Sequence, residues 1–323
     1  MLLLGLDIGG TKCAAVLAET EGDAVRFLYR REIPTVGSAA DTLGALAACA
    51  EEGAAACGAD LSRLAGAGIS CGGPLDAARG MVLSPPNLPG WDGVPVAAFV
   101  REKFGVPARL MNDADACALA EWRWGAGRGT RHFVFLTFGT GLGAGLILNG
   151  ALYEGASSDA GELGHIRLSA EGPAGYGKCG SFEGFCSGGG IARSARGAAE
   201  AIVQRGGRVA FASDGRTGGI TAKSVAEAAF AGDKAAQEIF RGVGHRLGQG
   251  LAGLVDLLNP QRIALGGVFM RAEALLREEM ENVLRRECLP RALAAVRIVP
   301  AQLGEQIGDY GAVTAALAAA ENR

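Results

Sequence analysis

Two glycine-rich turns, each set between short apolar runs and each in a different half of the chain, constrain the fold more than any other feature. The first lies in Leu2 to Leu17, where one apolar run enters Asp7-Ile8-Gly9-Gly10-Thr11-Lys12 and a second, Cys13 to Leu17, leaves it. The second lies in Phe133 to Leu148, with Gly139-Thr140-Gly141-Leu142-Gly143 between the runs Phe133 to Phe138 and Ala144 to Leu148. Short apolar runs bounded by glycines read as buried strands. Glycine lets the backbone turn tightly and approach a ligand with no side chain in the way, so that successive N–H groups point at an anion. Two such turns predict a grip on the two ends of a polyphosphate.

The pattern between and after them alternates strand with helix. Leu2 to Asp7, Lys12 to Ala18 and Val25 to Ile33 read as a three-strand meander, followed by a helix from about Asp41 to Cys57 and a strand from Leu64 to Ser70. Cys71 to Gly93 is rich in glycine and proline, lacks periodicity and reads as a long loop, the kind that lines a site. A helix near Val94 to Phe104, a short strand Ala108 to Met111 and a helix Ala114 to Trp124 close the first half. The second half opens at Phe133, turns at Asn149-Gly150, and carries a long core helix. There Ile239, Val243, Leu247, Leu251, Leu254, Val255 and Leu258 recur at helical spacing up to Asn259-Pro260. A strand Arg262 to Leu265, the Gly266-Gly267 turn, a helix Ala272 to Arg286, a strand Val296 to Val299 and a last helix from about Tyr310 to Ala320 follow. Each half therefore opens with the same strand-turn-strand device, which predicts an internal duplication.

The 323 residues exceed one ordinary core and predict two domains with a cleft between them. A net charge of -3 gives no footprint for nucleic acid or for an anionic membrane surface. Met1 runs straight into a strand and the longest apolar stretch is broken by glycines, so neither export nor membrane insertion is expected. The eight cysteines contain no Cys-x-x-Cys pair and fall largely in apolar segments, which predicts buried thiols in a reducing, cytoplasmic setting.

Two familiar motifs are matched only superficially. Gly139-x-Gly141-x-x-Ala144 satisfies the looser dinucleotide fingerprint, but that fingerprint opens a helix, and here Gly145 to Gly150 reads as a strand and a hairpin turn. Gly172-x-x-x-x-Gly177-Lys178 resembles a P-loop, but Cys179 stands where a Ser or Thr holds magnesium, and the residues that follow start a helix poorly. A surface loop is the better reading.

Six motifs in order identify a resemblance that covers nearly the whole chain. They are Asp7-Ile8-Gly9-Gly10-Thr11-Lys12, Pro86-Asn87-Leu88-Pro89-Gly90-Trp91, Asn112-Asp113-Ala114-Asp115-Ala116, Gly139-Thr140-Gly141-Leu142-Gly143, Gly161-Glu162-Leu163-Gly164-His165, and Leu258-Asn259-Pro260 leading to Gly266-Gly267. Together they resemble the ROK family of bacterial sugar kinases and regulators. The resemblance implies an α/β chain with a duplicated actin-like, hexokinase-like (ribonuclease H-like) fold, in two lobes around a central cleft. The small lobe would be 1-112 completed by a C-terminal helix at 308-323, and the large lobe 113-307.

Phosphoryl transfer needs an in-line hydroxyl, charge compensation on the phosphates, magnesium and a base. Asp113 follows a short strand and enters a helix, where an open α/β sheet presents reactive groups. The resemblance makes it the catalytic base, while position alone equally suits a helix N-cap. Asp7 ends a buried strand beside the first turn, where an unpaired carboxylate is costly, and is expected near Mg2+ with the nucleotide. Amides, carboxylates and imidazoles engage vicinal hydroxyls with paired contacts. By resemblance Asn87, Asn112, Asp113, Glu162, His165 and Glu183 bind a hexose. ATP is expected on Gly9, Gly10, Thr11, Lys12, Gly139, Thr140, Gly141, Gly143, Gly266 and Gly267. Read without the resemblance, Asn87 is a turn residue and His165 a satisfied histidine at a strand edge.

One departure concerns zinc. Members of the family commonly follow the Glu-x-Gly-His motif with three cysteines that join the histidine in a tetrahedral structural site. Here Ala174, Tyr176 and Ser181 occupy those positions, and neither Cys179 nor Cys186 falls at a ligand position. No zinc is expected, and Tyr176, Phe182 and Phe185 are expected to fill the space instead. The resulting expectation is a cytoplasmic, homodimeric, ATP-dependent hexose kinase of glucokinase type. N-acetylglucosamine, N-acetylmannosamine or fructose are alternative acceptors, and a non-catalytic sugar-sensing regulator is a reading from another class.

Overall fold

The computed structural model describes residues 1–212 and 217–321. The last two positions of the expected 308-323 segment lie outside the described residues. Along the chain run β1 (Leu2–Ile8), β2 (Lys12–Glu21), β3 (Ala24–Pro34), α1 (Ala39–Cys57), β4 (Leu64–Cys71), β5 (Leu75–Asp76), β6 (Met81–Leu83), β7 (Asp92–Val94), α2 (Val96–Phe104), β8 (Ala108–Asn112) and α3 (Asp113–Trp124). They continue with β9 (Phe133–Phe138), β10 (Leu142–Leu148), β11 (Ala151–Leu152), β12 (Ala174–Gly175), β13 (Lys178–Cys179), α4 (Phe182–Cys186), α5 (Gly188–Gln204) and α6 (Ala222–Phe230). The chain ends with α7 (Lys234–Leu258), β14 (Arg262–Leu265), α8 (Val268–Glu287), α9 (Pro290–Ala295), β15 (Arg297–Pro300) and α10 (Ile307–Glu321).

The expected duplication is present in the sheets. One has the order β3-β2-β1-β4-β8 and the other β11-β10-β9-β14-β15, so each places a hairpin beside parallel strands in the same sequence of positions. In the first, β1 pairs antiparallel with β2, closing the turn at Ile8↔Cys13, and parallel with β4. In the second, β14 pairs parallel with both β9 and β15. The Asn149-Gly150 turn takes φ of 57° and 80° at its two residues, the left-handed geometry of a tight hairpin.

Two compact units emerge, one of residues 1–129, 145–160 and 302–323 and the other of residues 130–144 and 161–301. In the first, β1 is buried on both faces up to Leu6, which is why Leu2 to Leu6 is continuously apolar rather than alternating. Leu4, Leu6 and Ile8 join Leu43 and Leu46 of α1, while Leu3 joins Val313, Ala316 and Leu317 of α10. Helix α10 packs so closely that a Cβ at Gly68 would collide with the backbone of Ala312 and Ala316, and one at Gly66 would stand 2.7 Å from Ala316 O. The alanines of α10 and the glycines of β4 are two halves of one contact. On its other side α10 meets α3, with Gly311 against Ala116.

In the second unit the long helix α7 packs on α8 through Gly244 and Gly248, where added Cβ atoms would stand 2.8 Å from Leu276 O and 2.6 Å from Val283 Cβ. The helix expected over Ala272 to Arg286 starts one turn earlier, at Val268, directly after the Gly266-Gly267 turn. Ala272 leaves helical geometry (φ -126°, ψ 19°), so the regular apolar spacing begins only beyond it. The stretch expected as a loop, Cys71 to Gly93, contains the small antiparallel sheet β5-β6-β7, whose strands of two and three residues are too short to show a period of two.

Candidate active site

Each glycine turn is fixed by its own unit. In the first, Gly9 N–H donates to Lys12 O at 3.1 Å, Thr35 N–H to Thr11 O at 3.0 Å, and the Thr35 hydroxyl to Gly9 O at 2.6 Å. Gly10 is obligatory for packing, because a Cβ there would collide with the carbonyl of Asn87. The turn and Asn87 are thus in contact, although far apart in sequence. Leu88 and Trp91, which flank Asn87 in the Pro86 to Trp91 motif, are almost wholly buried, and they anchor a turn that leaves Asn87 exposed. Lys12 reaches Glu32 at 2.9 Å on the outer strand.

Asn112 and Asp113 sit where β8 becomes α3. Asn112, not Asp113, is the N-cap: its Oδ1 accepts from Ala114 N–H at 2.9 Å. Asp113 is the first helical residue, and its Oδ1 accepts from the same N–H at 2.8 Å. Its Oδ2 faces Gly72, where a Cβ would stand 3.8 Å from Oδ2 and 3.9 Å from Asn87 Nδ2. Asn87, Asn112, Asp113 and the first glycine turn therefore share one region of this unit. Water reaches Asp113, yet the protein crowding it makes the ionised form costlier than in solution, and its carboxyl is held above the ordinary range; the Ala114 N–H opposes this. Half-buried Asp7 is pushed up to about 6, first by burial and next by the Asp113 charge. Asp309, beside Arg30 at 2.8 Å, adds a further acid. A carboxylate so crowded suits a divalent cation, which would relieve the repulsion.

In the second unit Gly139 N–H donates to Gly141 O at 3.1 Å, while the Thr137 hydroxyl accepts from Gly143 N–H at 2.9 Å. Two helix starts converge on this turn. Gly188 N–H of α5 donates to Gly139 O at 2.7 Å and Gly189 N–H to Thr140 O at 3.4 Å. Gly267, with φ of +55°, lies so close that a Cβ would collide with Phe138 O, and α8 begins at the next residue. The positive ends of helices favour anions. Sequence reasoning found Gly266-Gly267 but missed Gly188-Gly189; three successive glycines after Ser187, which caps α5 by accepting from Gly190 N–H at 2.9 Å, are the signal in retrospect.

The sugar-binding candidates of this unit assemble on β10. Gly161 (φ +92°) and Gly164 are pressed against it, so that added Cβ atoms would collide with Ala144 O and Leu142 O. These contacts lay the turn carrying Glu162 and His165 along the strand. Glu183, in the first turn of α4, is drawn to the same place: Leu142 N–H donates to its Oε2 at 3.1 Å, and its Cβ lies 3.2 Å from where a Cβ at Gly164 would be.

At the positions where the resemblance places zinc-binding cysteines stand Ala174, Tyr176 and Ser181, and the nearby Cys179 and Cys186 differ in setting. Cys179 is exposed, and Arg167 donates to its carbonyl at 2.6 Å. Cys186 is buried, its thiol turned to Val243 O at 3.6 Å and pushed up by burial. No group of three or more His, Cys, Asp or Glu able to hold a metal ion occurs among the described residues. Of the side chains expected to fill the space, Phe182 is fully buried against Gly250, and Phe185 packs over Gly172 beneath Arg246, 4.5 Å from ring centre to guanidinium. Tyr176 does not fill it. It stands at the tip of the β12-β13 hairpin, 65% exposed, because the tight turn requires φ of 44° there and 76° at Gly177 and swings the ring outward, edge-on to His165.

A family model described as "ROK family" matches residues 3–320. A glucokinase of Streptomyces coelicolor is 32% identical over 314 residues, covering 96% of each chain. The crystal structure of a ROK family glucokinase from Streptomyces griseus, in complex with glucose and AMPPNP, superposes with a TM-score of 0.80 at 33% identity, covering 98% of this chain and 100% of that one. A ROK hexokinase from Thermus thermophilus gives 0.81 at 30% identity over the whole of both chains.

Proposed function

The chain belongs to the ROK family, has the actin-like ATPase fold and is an ATP-dependent sugar kinase, and from that premise we propose that it phosphorylates a hexose, glucose foremost, with Asp113 as the base. The geometry of Asp113 carries the reading. Oδ1 is occupied by the Ala114 N–H, which fixes the carboxylate plane. Oδ2 faces a residue without a side chain, beside Asn87, which leaves it free to accept a proton from a sugar hydroxyl. A pKa held above the ordinary carboxylate range makes it the stronger acceptor.

Asn87 and Asn112 would orient the acceptor in the first unit, and Glu162, His165 and Glu183 would bind hydroxyls in the second. Gly9 to Lys12 in the first unit and Gly139 to Gly143 in the second would each hold phosphate, with Gly266-Gly267 delivering the start of α8 to the anion on the second turn. Asp7 would hold Mg2+, which when bound compensates the charge developing on the transferred phosphoryl group. We infer that zinc is no part of the enzyme, since the positions in question offer Ala174, Tyr176 and Ser181. The family resemblance supports a homodimer, which light scattering tests.

A coupled assay of ADP release across glucose, N-acetylglucosamine, N-acetylmannosamine and fructose, with Asp113→Asn as control, is the decisive experiment. Glucose is expected to stimulate turnover most and the control to abolish it. Turnover by the control equal to that of the parent sinks the assignment of the base, and a flat response to all four sugars sinks the hexose reading.

A further inference from the structure

The hydroxyl of Ser181 lies two residues before Glu183 and is fully buried. Its Oγ accepts from Gly175 N–H at 3.1 Å and from Gly184 N–H at 3.1 Å, and it faces Gly175 O at 3.4 Å, to which it donates. A hydroxyl has one donor and two acceptor sites, and all are used here. The knot joins the β12-β13 hairpin to the first turn of α4. It draws the hairpin so near that a Cβ at Gly175 would stand 2.8 Å from Glu183 Cβ and 2.6 Å from Gly184 N. Glu183 is therefore packed from one side by the hairpin, while its carboxylate is held on the other by Leu142 N–H at 3.1 Å.

A five-residue helix has little stability of its own, so α4 depends on such ties for its placement. Phe182 N–H adds a second, donating to Ile166 O at 2.8 Å. Ser181 also occupies one of the positions at which the resemblance places a metal-binding thiolate. We propose that Ser181 is a positioning residue for sugar binding: its buried hydroxyl does by hydrogen bonding what a metal clip would otherwise do, holding Glu183 in register with the Gly139 to Gly143 turn. The inference rests on the proposed role of Glu183 in binding sugar.

The test is a double-mutant cycle of Ser181→Ala and Glu183→Gln, with KM for sugar, KM for ATP and kcat measured for each. Ser181→Ala is expected to raise the sugar KM about tenfold, the effect of leaving buried N–H groups unpaired, with ATP KM near that of the parent. In the Glu183→Gln background the same substitution is expected to add less than about twofold, because it acts through the residue already altered. Ser181→Cys, which keeps the shape but accepts hydrogen bonds weakly, is expected to fall between parent and alanine, and it serves where the alanine variant does not fold. An undiminished Ser181→Ala effect in the Glu183→Gln background overturns the inference, as do parental sugar KM values in both Ser181 variants when Glu183→Gln is impaired. A parental sugar KM for Glu183→Gln itself overturns the reading of Glu183 and this inference with it.

Discussion

The carboxylate of Glu121 and the backbone of Leu303 are hydrogen-bonded across 182 positions of sequence: Leu303 N–H donates to Oε1 at 2.8 Å, as does Gln302 N–H. The second oxygen accepts from Ala126 N–H at 2.7 Å. Glu121 is wholly buried on α3, and these partners lie shortly before the chain first leaves the first unit and where it enters that unit for the last time. One side chain thus ties together two segments of the first unit that are far apart in sequence.

Removing it leaves three N–H groups without their acceptor. Glu121→Ala is expected to lower unfolding stability by about 3–5 kcal/mol, and Glu121→Gln by less, since the amide oxygen keeps one set of contacts. Urea unfolding of the three proteins checks this; a loss under about 1 kcal/mol for the alanine variant contradicts it.

Asp113→Asn keeps the shape of the side chain and an acceptor for Ala114 N–H, but it cannot take a proton. The expected result is a kcat lower by about 10²–10⁴, with a much smaller change in sugar KM. In the parent enzyme kcat is expected to fall with decreasing pH as Asp113 becomes protonated, at a pH above the ordinary carboxylate range because its pKa is raised. Steady-state ADP release from pH 4.5 to 8.5 reads both effects, and a kcat flat to the bottom of that range argues against a titrating base.

Asp7 gives a stability prediction of definite sign. Its carboxyl titrates near 6 when folded and near 3.8 as the reference value, so between those values the folded protein binds more protons than the unfolded chain, and stability falls as pH rises through that window. Asp7→Asn removes the penalty. It is expected to match the parent near pH 4 and to exceed it above pH 6.5 by up to about 3 kcal/mol, two pKa units at 1.36 kcal/mol each. Denaturant unfolding without divalent cations at pH 4 and pH 7.5 measures the difference. A gain equal at both values contradicts the assignment.

Protein purified without chelator is expected to hold far less than one zinc per chain, and its thermal midpoint is expected to ignore added EDTA. Structural zinc contributes on the order of 10 kcal/mol, so a resident ion would show in both measurements. Stoichiometric zinc that EDTA removes with loss of stability overturns this.

The two glycine turns and their strands, the long helix α7 and the short strand entering α3 were legible because each is written in consecutive residues: apolar runs, helical spacing, glycine, and Asn-Gly or Asn-Pro punctuation. The candidates Asn87, Asn112, Asp113, Glu162, His165 and Glu183 were legible as motifs, but Asp113 itself was ambiguous between base and cap. The geometry gives the cap to Asn112 and makes Asp113 the first residue of α3. Helices α4, α5, α6 and α9 went unread, and so did the glycines that start α5, whose meaning lies in a contact with Gly139 far upstream.

What the sequence determined by itself was the kind of elements present, their order and the duplication, since strand and helix periodicity and turn chemistry act over a few neighbouring residues. The tertiary structure alone decided which polar groups are satisfied and by whom. It turned Tyr176 out to solvent while burying Phe182, made Glu121 a tie between distant segments, and set Ser181 at the centre of three hydrogen bonds. A buried donor or acceptor must find a partner wherever the packed chain brings one, and that is a property of the close approach of distant backbones, which no local pattern encodes.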